Sequence, residues 1–250
     1  MARNRLYTGI DNHAAQFTAA NSEYLSVASN ATLQTGDIDF TVAGWFYESS
    51  TAPAGFNRGL ANKTNNVGPD VEWVIYQVAA TNQLIFRVDA NGDAAGNVVV
   101  TFGSVPALAT WHFVVAWHDS VGNTINIKVD NGTTATTAHA TGLTAGASPF
   151  ELGKWQASYF DGREACWGFW KRVLTADELT WLYSGGVAPR KYSELGVTGN
   201  DGSALKTSLI SYWNLDEDSG QRNDSHGTNH LTDNATVTTN PGPWNVRVAG

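Results

Sequence analysis

The sequence predicts an all-β fold, a two-sheet antiparallel jelly-roll sandwich with one short helix, on three observations. Apolar and polar residues alternate with period two along much of the chain, as they do in half-buried strands. The alternating runs are short and bounded by Asn, Asp, Gly and Thr clusters that read as turns. Helix start and stop signals occur together in one place only. At 250 residues, with 42% hydrophobic and 15% charged side chains, the chain can build one large core and is too poor in charge for disorder or a coiled coil.

In chain order, residues 38–46, 71–75, 84–88, 111–117 and 125–129 are the clearest strands. The run Val129-Asp-Asn-Gly132-Thr is the sharpest turn signal, because Asn-Gly readily takes the positive φ angles of tight hairpins. Thr175 followed by Glu178 forms a capping box, with acidic residues in the first turn where the helix dipole favours them. Leu179, Leu182 and Tyr183 then make an apolar stripe, and Gly185-Gly186 ends the helix. Residues 185–208 carry Pro189 and little periodicity and read as a long connector. The resulting division is a main body over 1–184, a connector over 185–208 and a closing segment over 209–250. Trp45, Trp73, Trp111, Trp117, Trp170 and Trp213 sit in alternating strands and read as core or inter-sheet packing.

Fifteen basic residues against 23 acidic ones leave a net charge of -8, which repels phosphate backbones and anionic lipid, so neither nucleic acid nor membrane is an expected partner. Cys166 is the single cysteine, which excludes an intramolecular disulfide and a Cys-based zinc site. From Met1 onward no apolar run of signal-peptide length follows, and no stretch has the length and apolarity of a membrane span.

Three stretches carry the first part of a family resemblance. They are Ala14-Ala-Gln-Phe17 with Asn21-Ser-Glu-Tyr24-Leu25-Ser-Val27; Leu33 to Trp45; and Trp111-His-Phe-Val-Val115 followed by Ile127-Lys-Val129-Asp130-Asn131-Gly132. With Phe160-Asp161-Gly162-Arg163 and Trp170 through Glu178 they resemble, in order, the laminin-G-like members of the concanavalin A-like lectin/glucanase superfamily, over roughly residues 10–184. Leu209-Ile-Ser-Tyr-Trp213-Asn-Leu215-Asp216-Glu217 and Asp224-Ser-His-Gly227 look like the segment that opens such a domain, yet here they close the chain. The resemblance therefore implies a circular permutation or a truncated second copy. Under the first, residues 209–215 should pair antiparallel with part of 163–173, and Pro241-Gly242 should lie near Gly9-Ile10; pairing with a neighbouring subunit would instead make a homo-oligomer.

Catalysis has little to rest on. A retaining glycosidase needs two carboxylates about 5 Å apart, hence alternate residues on a strand, and the Glu-x-Asp-x-x-Glu strand of the glucanases is missing. Asp216-Glu217-Asp218 puts neighbours on opposite faces and reads as a turn or metal site. No Gly-x-Ser-x-Gly elbow occurs. His226 and His230 read as solvated or hydrogen-bonded, His112 and His118 as satisfied structural groups. The resemblance implies a structural calcium ion, for which Asp161, Asp216 and Asp224 are the candidates by position; Asp89-Ala-Asn91-Gly-Asp93 lacks the later ligands of a calcium loop and reads as a turn. Trp155 and Tyr159, in the polar loop Lys154-Trp-Gln-Ala-Ser-Tyr159, are the candidate binding residues, an exposed indole and phenol able to stack on a sugar face or a partner surface.

The expected function is a non-catalytic laminin-G-like binding or structural module, on a phage virion surface as a decoration, fibre or tail protein that leaves the host by lysis, with glycans or capsid proteins as partners. A secreted carbohydrate-binding adhesion module is the first alternative, and a glycan-cleaving enzyme the disfavoured one.

Overall fold

The computed structural model describes residues 13–51, 55–64, 71–89, 96–186 and 188–243. Among the described residues fourteen strands precede the helix: β1 (His13–Phe17), β2 (Tyr24–Val27), β3 (Phe40–Glu48), β4 (Arg58–Thr64), β5 (Val71–Gln77), β6 (Leu84–Asp89), β7 (Asn97–Thr101), β8 (Trp111–Asp119), β9 (Thr124–Val129), β10 (Ala135–Ala138), β11 (Phe150–Leu152), β12 (Lys154–Trp155), β13 (Ser158–Tyr159) and β14 (Gly162–Trp170). The helix α1 (Ala176–Tyr183) follows, then β15 (Leu209–Trp213), β16 (Thr232–Asn234) and β17 (Thr238–Pro241). One sheet runs β10-β9-β8-β3-β14-β1-β17 with β15 also on β14, the other β16-β2-β11-β4-β5-β6-β7, and every pairing is antiparallel. This is the two-sheet sandwich that the alternation implies.

The inner faces meet in an aromatic core. Phe40, Trp73, Phe86, Phe150, Phe169 and Trp213 are all fully buried, and the Phe150 and Trp213 ring centroids approach to 4.8 Å. A second apolar layer lies outside the first sheet, where Trp45 and Phe113 pack under α1 and under Leu195 and Leu205 of the connector. The stretch 185–208 is therefore tied down rather than loose: both leucines are buried, and the Trp170 indole donates to the Leu205 carbonyl at 2.7 Å. Thr175 caps α1 and Glu178 closes the capping box. The Trp111 and Trp117 rings are half-buried against this layer, whereas Trp45, Trp73, Trp170 and Trp213 are buried.

On β14 the same edge serves two partners. Residues 162–164 pair with β1, and 167–170 pair with β15, with Trp167 opposite Trp213. Between them the register shifts, and Cys166 takes a φ of 51°. Such a bulge bends a strand and re-aims its side chains. Gly9 and Ile10, expected beside Pro241, lie outside the described residues, as do residues 90–93 of the Asp89–Asp93 turn.

Two turns depart from composition-based expectation. At the Val129–Gly132 turn the positive φ angles fall on Asp130 and Asn131, at 50° and 53°, rather than on the Asn-Gly pair; the Asp130 carboxylate explains this by accepting the Phe113 N–H at 2.9 Å and holding His112 at 2.6 Å. Between β16 and β17, Ala235 and Thr236 take φ of 65° and 69°. A β-branched residue rarely adopts this region. Thr236→Asn is expected to raise stability by about 0.5–1 kcal/mol, read as a higher denaturant midpoint.

Candidate functional site

The residues between β11 and β14 fold back as the β12–β13 hairpin and lie across β4. Two glycines allow it. A Cβ on Gly59 would meet the Lys154 carbonyl oxygen at 2.3 Å, and one on Gly153, whose φ is 77°, would meet the Phe17 ring at 2.5 Å. Beneath the hairpin, Val74 and Tyr76 present an apolar patch on the outer face of the second sheet, and that patch needs cover.

Trp155 provides the cover, which corrects the expectation of an exposed indole. It is only 6% exposed and packs on Tyr76 with centroids 4.4 Å apart, while the Arg87 guanidinium carbon sits 5.9 Å from its ring. Its role here is to seat the hairpin. Tyr159, at the other end, is half-buried, with its ring 6.1 Å from that of Tyr24.

Tyr159 lines a cleft of about 150 Å³ with Ala19, Phe56, Arg58, Ala157 and Ser158. Phe56 is 58% exposed, so the cleft has two aromatic walls and one of them is open to solvent. Its cation is committed: Arg58 donates to the Ser50 carbonyl, approaches Ser50 Oγ at 3.3 Å and faces Glu48 at 3.6 Å. Burial lowers the Arg58 pKa from its ordinary value and raises that of Glu48, with Gln77 and Arg58 only partly offsetting the latter. Asp161 closes the rim by accepting from Ser50 Oγ at 2.8 Å and from the Ala19 N–H at 3.4 Å.

Across the hairpin lies a second cleft of about 310 Å³, lined by Thr64, Pro149, Glu151, Lys154 and Gln156. Lys154 pairs with Glu151 at 3.1 Å and stands 4.1 Å over the Tyr24 ring. Asn62 fixes both ends, donating to the Lys154 carbonyl at 2.6 Å and to Glu151 Oε2 at 3.4 Å. Sequence reasoning reached Trp155 and Tyr159 and missed Phe56, Arg58, Tyr24 and Glu151. Phe56 carries the same signal as Trp155, a large aromatic in a loop outside any alternating run.

The three candidate calcium ligands occupy three separate environments. Asp161 belongs to the rim just described, and Asp216 pairs with Lys191 at 2.7 Å. Asp224 accepts the backbone N–H groups of Tyr212, His226, Gly227 and Asn229 at 2.9–3.0 Å, so donors fill its oxygens and it organises a turn. Among the described residues no group of three His, Cys, Asp or Glu side chains is assembled to hold a metal ion. Asp161, Asp216 and Asp224 thus do not fit a shared calcium site. Glu217 and Asp218 are also tied separately, to the Asn223 N–H at 2.6 Å and to His13 at 3.0 Å.

Two antiparallel sheets packed face to face with one short capped helix are the architecture of a concanavalin A-like jelly roll. The chain belongs to the concanavalin A-like lectin/glucanases superfamily, whose laminin-G-type family model matches residues 19–180. A Bacteroides ovatus protein assigned provisionally to carbohydrate binding has a similar structure at 18% identity and a TM-score of 0.66; the match covers 96% of this chain, which spans 63% of that protein's length. A heptameric SAP-like pentraxin from Limulus polyphemus matches with a TM-score of 0.52 at 13% identity, over 71% of this chain and 84% of its own. The binding domain of Paraclostridial Mosquitocidal Protein 1 matches with 0.51 at 14%, over 72% and 45%. No curated protein matches the sequence. Likenesses this distant share the fold. No helix among the described residues is long and apolar enough to cross a membrane.

Proposed function

We propose that this protein is a non-catalytic glycan-binding module and that the cleft between Phe56 and Tyr159 is its binding site. The observation that carries the reading is the pairing of two aromatic walls, one of them 58% exposed, with the Ser158 hydroxyl in the same lining. Sugar rings offer apolar C–H faces to aromatics and hydroxyls to polar groups, and a cleft of about 150 Å³ admits a ring or part of one. The carboxylates nearest the clefts support the non-catalytic part, since Glu48, Asp161 and Glu151 each hold a structural partner.

Tyr159→Ala and Phe56→Ala are each expected to weaken retention on a glycan array about tenfold, a stacked aromatic contributing ~1–1.5 kcal/mol, with little change in melting temperature. Trp155→Ala should instead destabilise the fold by about 2–3 kcal/mol, below the figure for a deep core site because its pocket borders solvent. An array profile unaltered by both cleft variants overturns the assignment, and release of reducing sugar from a polysaccharide panel overturns the non-catalytic part.

The proposal extends to chain order and setting. Residues 209–250 act as the family's opening strand region moved to the chain end, a reading supported by the antiparallel pairing of β15 with β14. Display on a phage particle is the setting proposed, and a stoichiometric copy number in purified particles is the result expected of it.

A further inference from the structure

We propose that the site takes uncharged saccharides and that Glu48 and Glu151 set this preference by neutralising the cations that border the hairpin; the inference rests on the glycan-binding reading above. Each of the two clefts has one cation in its wall, and each cation already has a carboxylate: Arg58 faces Glu48 at 3.6 Å, and Lys154 meets Glu151 at 3.1 Å. Arg58 feels Asp161 as a second negative charge. Burial pulls the Lys154 pKa down, but Glu151, together with Tyr24 and Tyr159, more than offsets this and holds it above its ordinary value.

A uronic acid, sialic acid or sulfated sugar entering either cleft would bring its anion beside a carboxylate already satisfied by the local cation. It would have to displace that carboxylate or stay unpaired, and a desolvated unpaired charge is costly. The net charge of -8 adds long-range repulsion. A neutral sugar needs only donors and acceptors, which Ser158 supplies in one cleft and Gln156 in the other. The geometry thus builds rejection of acidic ligands into two carboxylates, Glu48 beside Arg58 and Glu151 in the wall of the second cleft.

The test is retention of the purified protein on neutral mannan and dextran and on acidic polygalacturonate and heparin. The wild type should bind a neutral matrix with an affinity indifferent to salt between about 0.05 and 0.5 M, a range over which the screening length falls severalfold, and should pass through the acidic ones. Glu151→Gln keeps the side-chain shape and leaves an amide carbonyl for Asn62 while releasing Lys154. It should acquire salt-sensitive retention on polygalacturonate about fivefold above wild type, the size of one modest ion pair, and Lys154→Gln added to it should abolish the gain. Glu48→Gln, releasing Arg58, gives the same readout independently should Glu151→Gln fail to fold. Wild-type retention on the acidic matrices, or no gain in either glutamine variant, overturns the inference and leaves glycan binding standing. Wild-type retention on no saccharide at all overturns both.

Discussion

Replacing Lys63 with methionine is expected to cost the fold about 3–5 kcal/mol, because it strands a buried carboxylate. Lys63 and Glu72 are both fully buried and 2.5 Å apart. The ammonium also donates to Ser29 Oγ at 2.9 Å and to the Gly146 and Ser148 carbonyls at 3.0 Å, while Glu72 accepts from Thr35 through its N–H and its hydroxyl and from the Gly146 N–H. One ion pair thus ties together the segments around residues 29–35 and 144–148 at one end of the sandwich. Glu72→Gln should cost less, since an amide still offers its carbonyl to Thr35. Denaturant midpoints of the two variants decide the matter: a loss below about 1 kcal/mol for Lys63→Met, the scale of an exposed pair, would show that water reaches the site.

Glu164→Gln is expected to be neutral at low pH and increasingly stabilising as the pH rises. Glu164 is fully buried in β14, and neither carboxyl oxygen has a hydrogen-bond partner among the described residues. Burial pushes its pKa well above the ordinary 4.5, and the nearby Trp167 indole and Gly153 N–H offset this only in part. The folded chain therefore holds the proton more tightly than the unfolded chain does. Its stabilising effect is complete below about pH 4.5 and is lost as pH climbs, at up to about 1.4 kcal/mol per pH unit, until the folded-state value is passed. Glutamine removes this dependence. Stability curves of wild type and variant should coincide near pH 4 and diverge toward pH 8; a constant difference across that range would mean the carboxyl is not held protonated by the core.

Alternation made β3, β5, β6, β8 and β9 legible because each lies centrally in its sheet, with apolar residues facing the core. The strands it did not show are those whose sequences carry little apolar contrast. In β4, Arg-Gly-Leu-Ala-Asn-Lys-Thr, every residue is buried although four are polar; Arg58 and Lys63 are paired, and Asn62 is hydrogen-bonded across the sheet. β16 and β17 are short edge strands of Thr, Asn, Asp and Pro, indistinguishable in isolation from a loop. The helix was legible in full, because a capping box acts within four residues of chain.

The site was legible in part, for a reason of the same kind. Composition marked Trp155 and Tyr159 as aromatics in a polar loop, but their local sequence says nothing about what the loop lands on. Gly59 and Tyr76, distant in sequence, decide that Trp155 is buried and Tyr159 left at the rim, and Phe56 arrives there from another loop. By itself the sequence determined the all-β class, the capped helix and the superfamily, since each depends on residue type and short-range spacing. Only the tertiary structure decided which aromatics are exposed, that Asp161, Asp216 and Asp224 stand apart, and that Arg58 and Lys154 are neutralised, because exposure and charge pairing arise between segments that meet only when both sheets have formed.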